Sequence, residues 1–129
     1  MGTELETALT IKHRGTSSEH YPKKNFTIEL KSAFGNDTSL SLLGLPKHED
    51  WVLHAPYADK TLMRNALAYK LWRDMGYTTP RCEFVELELN GEYLGIYLLV
   101  ENVKRGKHRV PVEKLEENIT QQPELTGGY

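Results

Sequence analysis

The sequence predicts an α+β fold in which one long helix packs on a twisted, mainly antiparallel sheet. Three observations support this class. Several short segments alternate between apolar and polar residues, which is the pattern of half-buried strands. Asn90 and Gly91 stand between two such segments and are typical of a two-residue hairpin turn. Across residues 59–76, apolar residues instead recur at helical spacing.

The composition is that of an ordinary globular domain. The 129 residues carry a net charge of −2 and are enough to bury a sizeable core in a single domain. No apolar run approaches the roughly 20 residues of a membrane span. The balanced charge argues against a dedicated nucleic-acid binder. Cys82 is the single cysteine, so an internal disulfide is excluded and the compartment stays open.

The first half of the chain predicts three strands. Residues 8–14 and 25–31 alternate in polarity and should form an antiparallel pair, joined by a loop over residues 15–22. A turn at residues 35–38 leads to a leucine-rich segment that Pro46 ends, and residues 51–54 form a short strand candidate.

The predicted long helix begins at Asp59, a favourable N-cap, and ends at Gly76. Its regularly spaced apolar residues should pack on the sheet. They are Leu62, Met63, Ala66, Leu67, Leu71 and Met75. Arg64 in the first turn adds to the positive end of the helix dipole, which a bound anion or an acidic partner would offset. A solvated arginine is the equally simple alternative.

The second half predicts a hairpin of residues 81–89 and 92–101 around Asn90 and Gly91. Its second strand is apolar on both faces near its end, so we expect it between other strands and under the helix. Residues 104–109 form a basic loop, residues 111–117 a short helix, and residues 118–126 a flexible connection. The chain stops where residues 125–129 suggest a turn entering a strand, so we expect a piece of a longer protein.

The loop that begins at Arg14 and the strand that follows it carry the candidate binding site. Small residues of the loop, among them Ser17 and Ser18, offer backbone N–H groups and hydroxyls, and Lys24 shares a strand face with Phe26. Such a loop with one point charge suits a phosphate group. The alternative is that the Lys24 ammonium simply reaches water.

Other chemistries are disfavoured. The loop after Gly15 lacks the second glycine of a nucleophile elbow, which argues against a serine hydrolase. The five histidines lack paired spacing and partner cysteines, so we expect no metal site. Gly91 and Gly95 belong to a hairpin without a following helix and therefore do not form a dinucleotide-binding loop.

A series of short motifs, in family order across nearly the whole chain, resembles the spore coat protein H (CotH) family. The motifs are Arg14-Gly15-x-Ser17-Ser18, Tyr21-Pro22-Lys23-Lys24-x-Phe26, Leu43-Gly44-Leu45-Pro46, Asp50-Trp51-Val52-Leu53, Asp59-Lys60-x-Leu62-Met63-Arg64-Asn65, Pro80-Arg81 and Asn90-Gly91-x-Tyr93-x-Gly95-x-Tyr97-Leu98-Leu99-x-Glu101. Each is weak alone, and their joint order is specific. The chain departs from the family at His13, usually apolar, and at Thr16, commonly Asn.

The resemblance implies an atypical protein-kinase-like fold that transfers the γ-phosphate of ATP to serine of a protein, with Mg²⁺ or Mn²⁺. This chain would be its N-terminal lobe, with Arg14, Ser17 and Ser18 over the phosphates and Lys24 neutralising the transferred group. Arg64 and Asn65, two further candidates for binding the phosphates, would lie on the helix that kinases use for regulation. The family's substrates include spore coat proteins, and related proteins occur at cell surfaces, so a spore coat, envelope or cell-surface location is implied.

The family's catalytic and metal-binding aspartates have no counterpart before Tyr129. The resemblance therefore implies no catalytic residue and no metal ligand here, and a fragment that is inactive alone. The predicted helix contains no Glu, which leaves Asp59 and Glu101 as candidate partners of Lys24. Separation from the C-terminal lobe would expose apolar surface, so we also expect self-association.

Two other interpretations stay open. The chain could be a non-catalytic structural or adhesive module of a cell-surface or envelope protein, with Arg14 and Lys24 paired to Glu29 or Glu101. It could also be a degenerate family member that binds ATP without catalysis.

Overall fold

A computed structural model describes residues 4–112 of the chain. Among these residues, five strands form one sheet, in the spatial order β1-β2-β3-β5-β4. The strands are β1 (Ala8–Arg14), β2 (Asn25–Lys31), β3 (Asp50–His54), β4 (Cys82–Leu89) and β5 (Glu92–Glu101). Every neighbouring pair is antiparallel. β5 lies between β3 and β4, as its two apolar faces predict.

Two hairpins build most of this sheet. In the first, β1 and β2 pair so that Arg14 lies opposite Asn25, and the connection contains Gly15 and a short 3₁₀ helix, Ser17–His20. In the second, β4 and β5 are joined by Asn90 and Gly91, which have φ angles of 53° and 80°. A two-residue turn with positive φ at both positions matches the right-handed twist of paired strands. The predicted hairpin is confirmed.

The main core lies on one face of the sheet. Alternate residues of β2, β3 and β5 point to this face, and leucines of residues 40–45 cover it. Its buried members are Phe26, Ile28, Leu30, Leu45, Trp51, Leu53, Ala55, Tyr97 and Leu99. The opposite face carries a smaller cluster of Val52, Leu98 and Val100. That second face is the one on which the helix lies.

The prediction of a long helix packed on the sheet is wrong. The only α-helix of residues 4–112 is α1 (Arg64–Asp74), which has 11 residues, none of them buried. It begins late because Leu62 has a φ of 60°, a left-handed conformation that a right-handed helix cannot include. Asp59 organises the preceding turn by accepting hydrogen bonds from the Thr61 N–H and hydroxyl. The fold is therefore a mostly antiparallel sheet with one short helix.

Most of the apolar surface of α1 faces away from the sheet. Ala66 and Tyr69 contact the small cluster, whereas Leu67 and Leu71 are both more than half exposed. The sequence pattern therefore predicted more buried residues on this helix than the structure shows. A helix held by two contact positions adds little to the core.

No helix of residues 4–112 is long and apolar enough to cross a membrane. The predicted basic loop at residues 104–109 is a bend in which the Gly106 and Val110 backbones are hydrogen-bonded. The predicted helix at residues 111–117 lies, from residue 113 onward, outside the described residues, as does the predicted connection at residues 118–126.

Candidate functional site

A cleft of about 420 Å³ crosses the helix side of the sheet. Its volume falls within the range of small-molecule sites. One end is formed by the loop after β1 and the other by the residues that follow β5, with α1 forming a wall. The lining residues are Arg14, Gly15, Ser18, Asn25, Val52, His54, Asn65, Tyr69, Pro80, Val100, Glu101, Asn102 and Val103.

The loop end of the cleft carries a positive charge beside a hydroxyl. Arg14 closes β1 and shares its sheet face with the opposite residue, Asn25. No carboxylate of residues 4–112 forms an ion pair with Arg14. Gly15 has a φ of 99°, and a Cβ there would overlap with Ser18 Oγ. A side chain at this position would make the Ser18 hydroxyl turn away, so glycine permits this close approach.

Polar side chains behind Arg14 fix the shape of this end. Asn25 is buried, and its Oδ1 accepts a 2.6 Å hydrogen bond from the Ala55 N–H. His54 ends β3, and its Nε2 lies 3.2 Å from Asn65 Nδ2 on α1. An amide nitrogen only donates, so Nε2 accepts this bond. The pair links the helix to the sheet directly across the cleft.

The surroundings of His54 favour its neutral form. Burial lowers the pKa of His54 below its usual value, and the nearby charge of Arg14 lowers it further. The permanent positive charge at this end of the cleft therefore belongs to Arg14. An anion bound there would approach one guanidinium, the Ser18 hydroxyl and the Asn65 amide.

Lys24 does not line this cleft. It precedes β2 on the side of Phe26, and its Nζ donates a 2.6 Å hydrogen bond to the Glu19 carbonyl. With Phe26 and Tyr97 it lines a separate groove on the core side of the sheet. Its role in phosphate transfer stays a prediction.

Ser17 and Arg64, two other predicted site residues, also lie outside the cleft lining. Ser17 is exposed in the 3₁₀ helix. Arg64 is exposed at the start of α1, where its Nε lies 3.4 Å from Asp59 Oδ1. The Asp59 carboxylate also accepts a hydrogen bond from the Arg64 N–H at 2.8 Å. The hydrogen bond from the Thr61 hydroxyl, and then that from the Arg64 N–H, lower the pKa of Asp59. Asp59 therefore binds Arg64, the first residue of α1.

Glu101, the other proposed partner of Lys24, pairs with two arginines. Its Oε1 lies 2.6 Å from Arg109 Nη1 and 3.2 Å from Arg81 Nη2. Its Oε2 accepts a 2.8 Å hydrogen bond from the Arg81 N–H. Glu29, considered as a partner of Arg14 or Lys24, instead pairs with Lys31. Among the described residues, no carboxylate pairs with Lys24.

One group among the described residues has ligand atoms close enough for a metal ion. The side chains of His48, Glu49 and Asp50 place one such atom each within 4.8 Å of one another. Their carboxylates already have partners: Ser39 donates to Glu49 at 3.0 Å, and Lys104 pairs with Asp50. These contacts account for the cluster without an ion.

Sequence reasoning identified three cleft residues, Arg14, Ser18 and Asn65, as phosphate-binding candidates and missed Asn25 and His54. The pairing of β1 with β2 places Asn25 beside Arg14, so the register of this hairpin could have indicated it. His54 ends the short predicted strand, but its position over the cleft depends on the pairing of β3 with β2. Neither pairing can be read from one segment alone.

Comparison with known proteins identifies the family. The model of the family described as CotH kinase protein matches residues 11–124, which is most of the chain. The chain is also similar to inner spore coat protein H of Bacillus subtilis (strain 168), with 39% identity over 97 residues. That alignment covers 74% of this chain and 24% of the relative, so the chain spans about a quarter of the relative's length. The chain belongs to the CotH family.

Proposed function

We propose that the cleft binds the phosphates of ATP and that the chain is the nucleotide-binding part, an N-terminal lobe, of a protein-serine kinase. The observation that carries the proposal is the convergence of Arg14, Ser18 and Asn65, from a loop and a helix far apart in sequence, on one end of a cleft. A guanidinium and polar side chains at one end, with apolar side chains along the sheet, suit an anionic group attached to a flat base.

The family description supports a kinase as the reaction class. In this proposal, Arg14 offsets the negative charge of the phosphates, and Gly15 allows the loop backbone to approach them. The catalytic aspartates, and the Mg²⁺ or Mn²⁺ that they bind, belong to a C-terminal lobe in the longer protein. This chain alone is then inactive, since it supplies binding and orientation without the groups that move the proton and hold the metal.

The name of the relative, inner spore coat protein H, suggests where such a kinase acts. We propose a spore coat or cell-envelope location, with a serine-containing protein of that structure as the substrate. Lys24 enters the proposal as the strand lysine of the kinase resemblance. For it to reach the phosphates, its Nζ must leave the Glu19 carbonyl and move from the core side of the sheet to the helix side.

The test is phosphate transfer from γ-labelled ATP to a serine-containing coat protein by the full-length protein. Arg14→Gln should lower the transfer rate at least tenfold, because the charge facing the phosphates is lost. Lys12→Gln is the matched control, since Lys12 lies two residues earlier on β1 and outside the cleft lining, and its rate should be unchanged.

Lys24→Ala tests the strand-lysine role separately. Loss of transfer with an unchanged circular dichroism spectrum supports it, and a wild-type rate removes Lys24 from the site. Full activity of Arg14→Gln would contradict the cleft as the phosphate site. Absence of serine phosphorylation by the wild-type protein, together with absence of ATP binding, would favour the structural or adhesive module.

A further inference from the structure

A second cavity, of about 210 Å³, lies where β5 ends and β4 begins. The last turn of α1 and the segment that follows it, residues 77–81, form one wall, and the segment after β5 forms the other. The lining side chains that bear on its charge and polarity are Arg73, Thr78, Thr79, Arg81, Glu101 and Arg109. The cavity borders the cleft at Pro80, Glu101, Asn102 and Val103 but does not include Arg14.

The charges that line this cavity do not balance. Among residues 4–112, three arginine charges against the one charge of Glu101 leave a net of two positive charges. Both oxygens of Glu101 are already engaged by Arg81 and Arg109. The carboxylate therefore has no capacity left for Arg73, which reaches the cavity from α1 and donates to the Pro80 carbonyl at 3.3 Å.

Arg109 shows the imbalance most directly. Its side chain is only 3% exposed and stacks on the Trp51 ring, with 4.8 Å between the guanidinium carbon and the ring centroid. Its Nε has no hydrogen-bond acceptor among residues 4–112. Burial lowers the pKa of Arg109, and the like charge of Arg81 acts in the same direction. A buried guanidinium beside two others gives the cavity a positive potential, which favours an anionic ligand.

We propose that this arginine cavity binds a phosphate group. The forked N–H groups of Arg73 match the oxygens of a phosphate, and the Thr78 and Thr79 hydroxyls can donate to the same oxygens. Arg81 can add its Nη1, since its Nε binds Glu101 and its Nη2 donates to the His108 carbonyl. A dianion would balance the two excess positive charges. The phosphate can come from free inorganic phosphate or from a phosphorylated serine of a protein, since both present the same oxygens.

The experiment measures binding of inorganic phosphate to the full-length protein by calorimetric titration, with chloride at matched ionic strength as the reference. Wild type should bind phosphate saturably, and Arg73→Gln should bind it at least about tenfold more weakly, since a charge-assisted hydrogen bond is lost. Arg73 lies exposed on α1, so its replacement should leave the fold intact, which circular dichroism checks. Arg105→Gln is the control, because Arg105 is exposed and does not line the cavity.

A serine peptide with and without phosphate then separates the two sources. Arg73-dependent binding of the phosphopeptide alone assigns the site to phosphorylated protein, and binding of free phosphate alone assigns it to the small anion. The inference is overturned if wild type binds neither inorganic phosphate nor the phosphopeptide saturably, or if Arg73→Gln and Arg105→Gln bind them equally well. The affinity for ATP is measured with the same variants. A loss of ATP affinity in Arg14→Gln but not in Arg73→Gln would show that the arginine cavity and the proposed kinase cleft are separate sites.

Discussion

Replacement of Glu101 by Gln should destabilise the protein strongly. The Glu101 side chain is 4% exposed and sits between Arg81 and the 3% exposed Arg109. Glu101→Gln keeps the size of the side chain but removes the charge that compensates the buried guanidinium. Breaking a buried ion pair by removing one partner typically costs about 3–5 kcal/mol. For a chain of this length, that loss corresponds to a decrease in Tm on the order of 10–20 °C.

The assay is thermal and urea unfolding followed by circular dichroism. Glu83→Gln is the matched control, since Glu83 is an exposed glutamate on the neighbouring strand β4 and its replacement should change stability little. A double variant that adds Arg109→Met should lose less stability than the two single variants together, because the second change removes the uncompensated charge. A loss below about 1 kcal/mol for Glu101→Gln, or strict additivity in the double variant, would refute this reasoning.

Three further predictions concern the loop, the pH response and the surface of α1. Gly15→Ala should destabilise the protein more than Gly35→Ala in urea unfolding, because both have positive φ but only the Gly15 methyl meets Ser18; equal losses would contradict the contact. The lowered pKa of His54 means that the unfolded state binds more protons below about pH 6.5, so stability should fall as pH falls through this range, and His54→Gln should flatten the dependence. Leu67→Lys should reduce self-association in sedimentation experiments, because Leu67 is 53% exposed on α1; a wild-type protein that stays monomeric at high concentration would contradict the expected association.

The strands could be predicted from the sequence because their determinants are local. The hairpin at Asn90 and Gly91 is specified by a dipeptide that favours positive φ, and β2 by alternation with Phe26 and Ile28 on one face. The helix was predicted less well. Asp59 does accept a hydrogen bond from the first turn of α1, at the Arg64 N–H. The helix nevertheless begins only at Arg64, because Leu62 has a left-handed conformation. A periodic pattern of apolar residues does not reveal a single residue with positive φ.

The candidate site could be predicted only in part, for a related reason. Arg14 and Ser18 lie four residues apart, so the sequence shows them together. The approach of Asn65 and His54 to them depends on strand pairing and on the place of α1, which no local pattern determines. For Lys24 the alternation of residues correctly predicted the face of Phe26. The cleft lies on the other face of the sheet, so Lys24 does not line it.

Binding of ATP in the presence of Mg²⁺ to the full-length protein, measured by isothermal titration calorimetry, tests the central claim most directly. Wild type and Lys12→Gln should bind with the same affinity, and Arg14→Gln should bind at least about tenfold more weakly, because Arg14, unlike Lys12, supplies a charge at the loop end of the cleft. Equal ATP affinity of Arg14→Gln and wild type, or no saturable binding by any of the three proteins, would contradict the assignment of this cleft to a nucleotide.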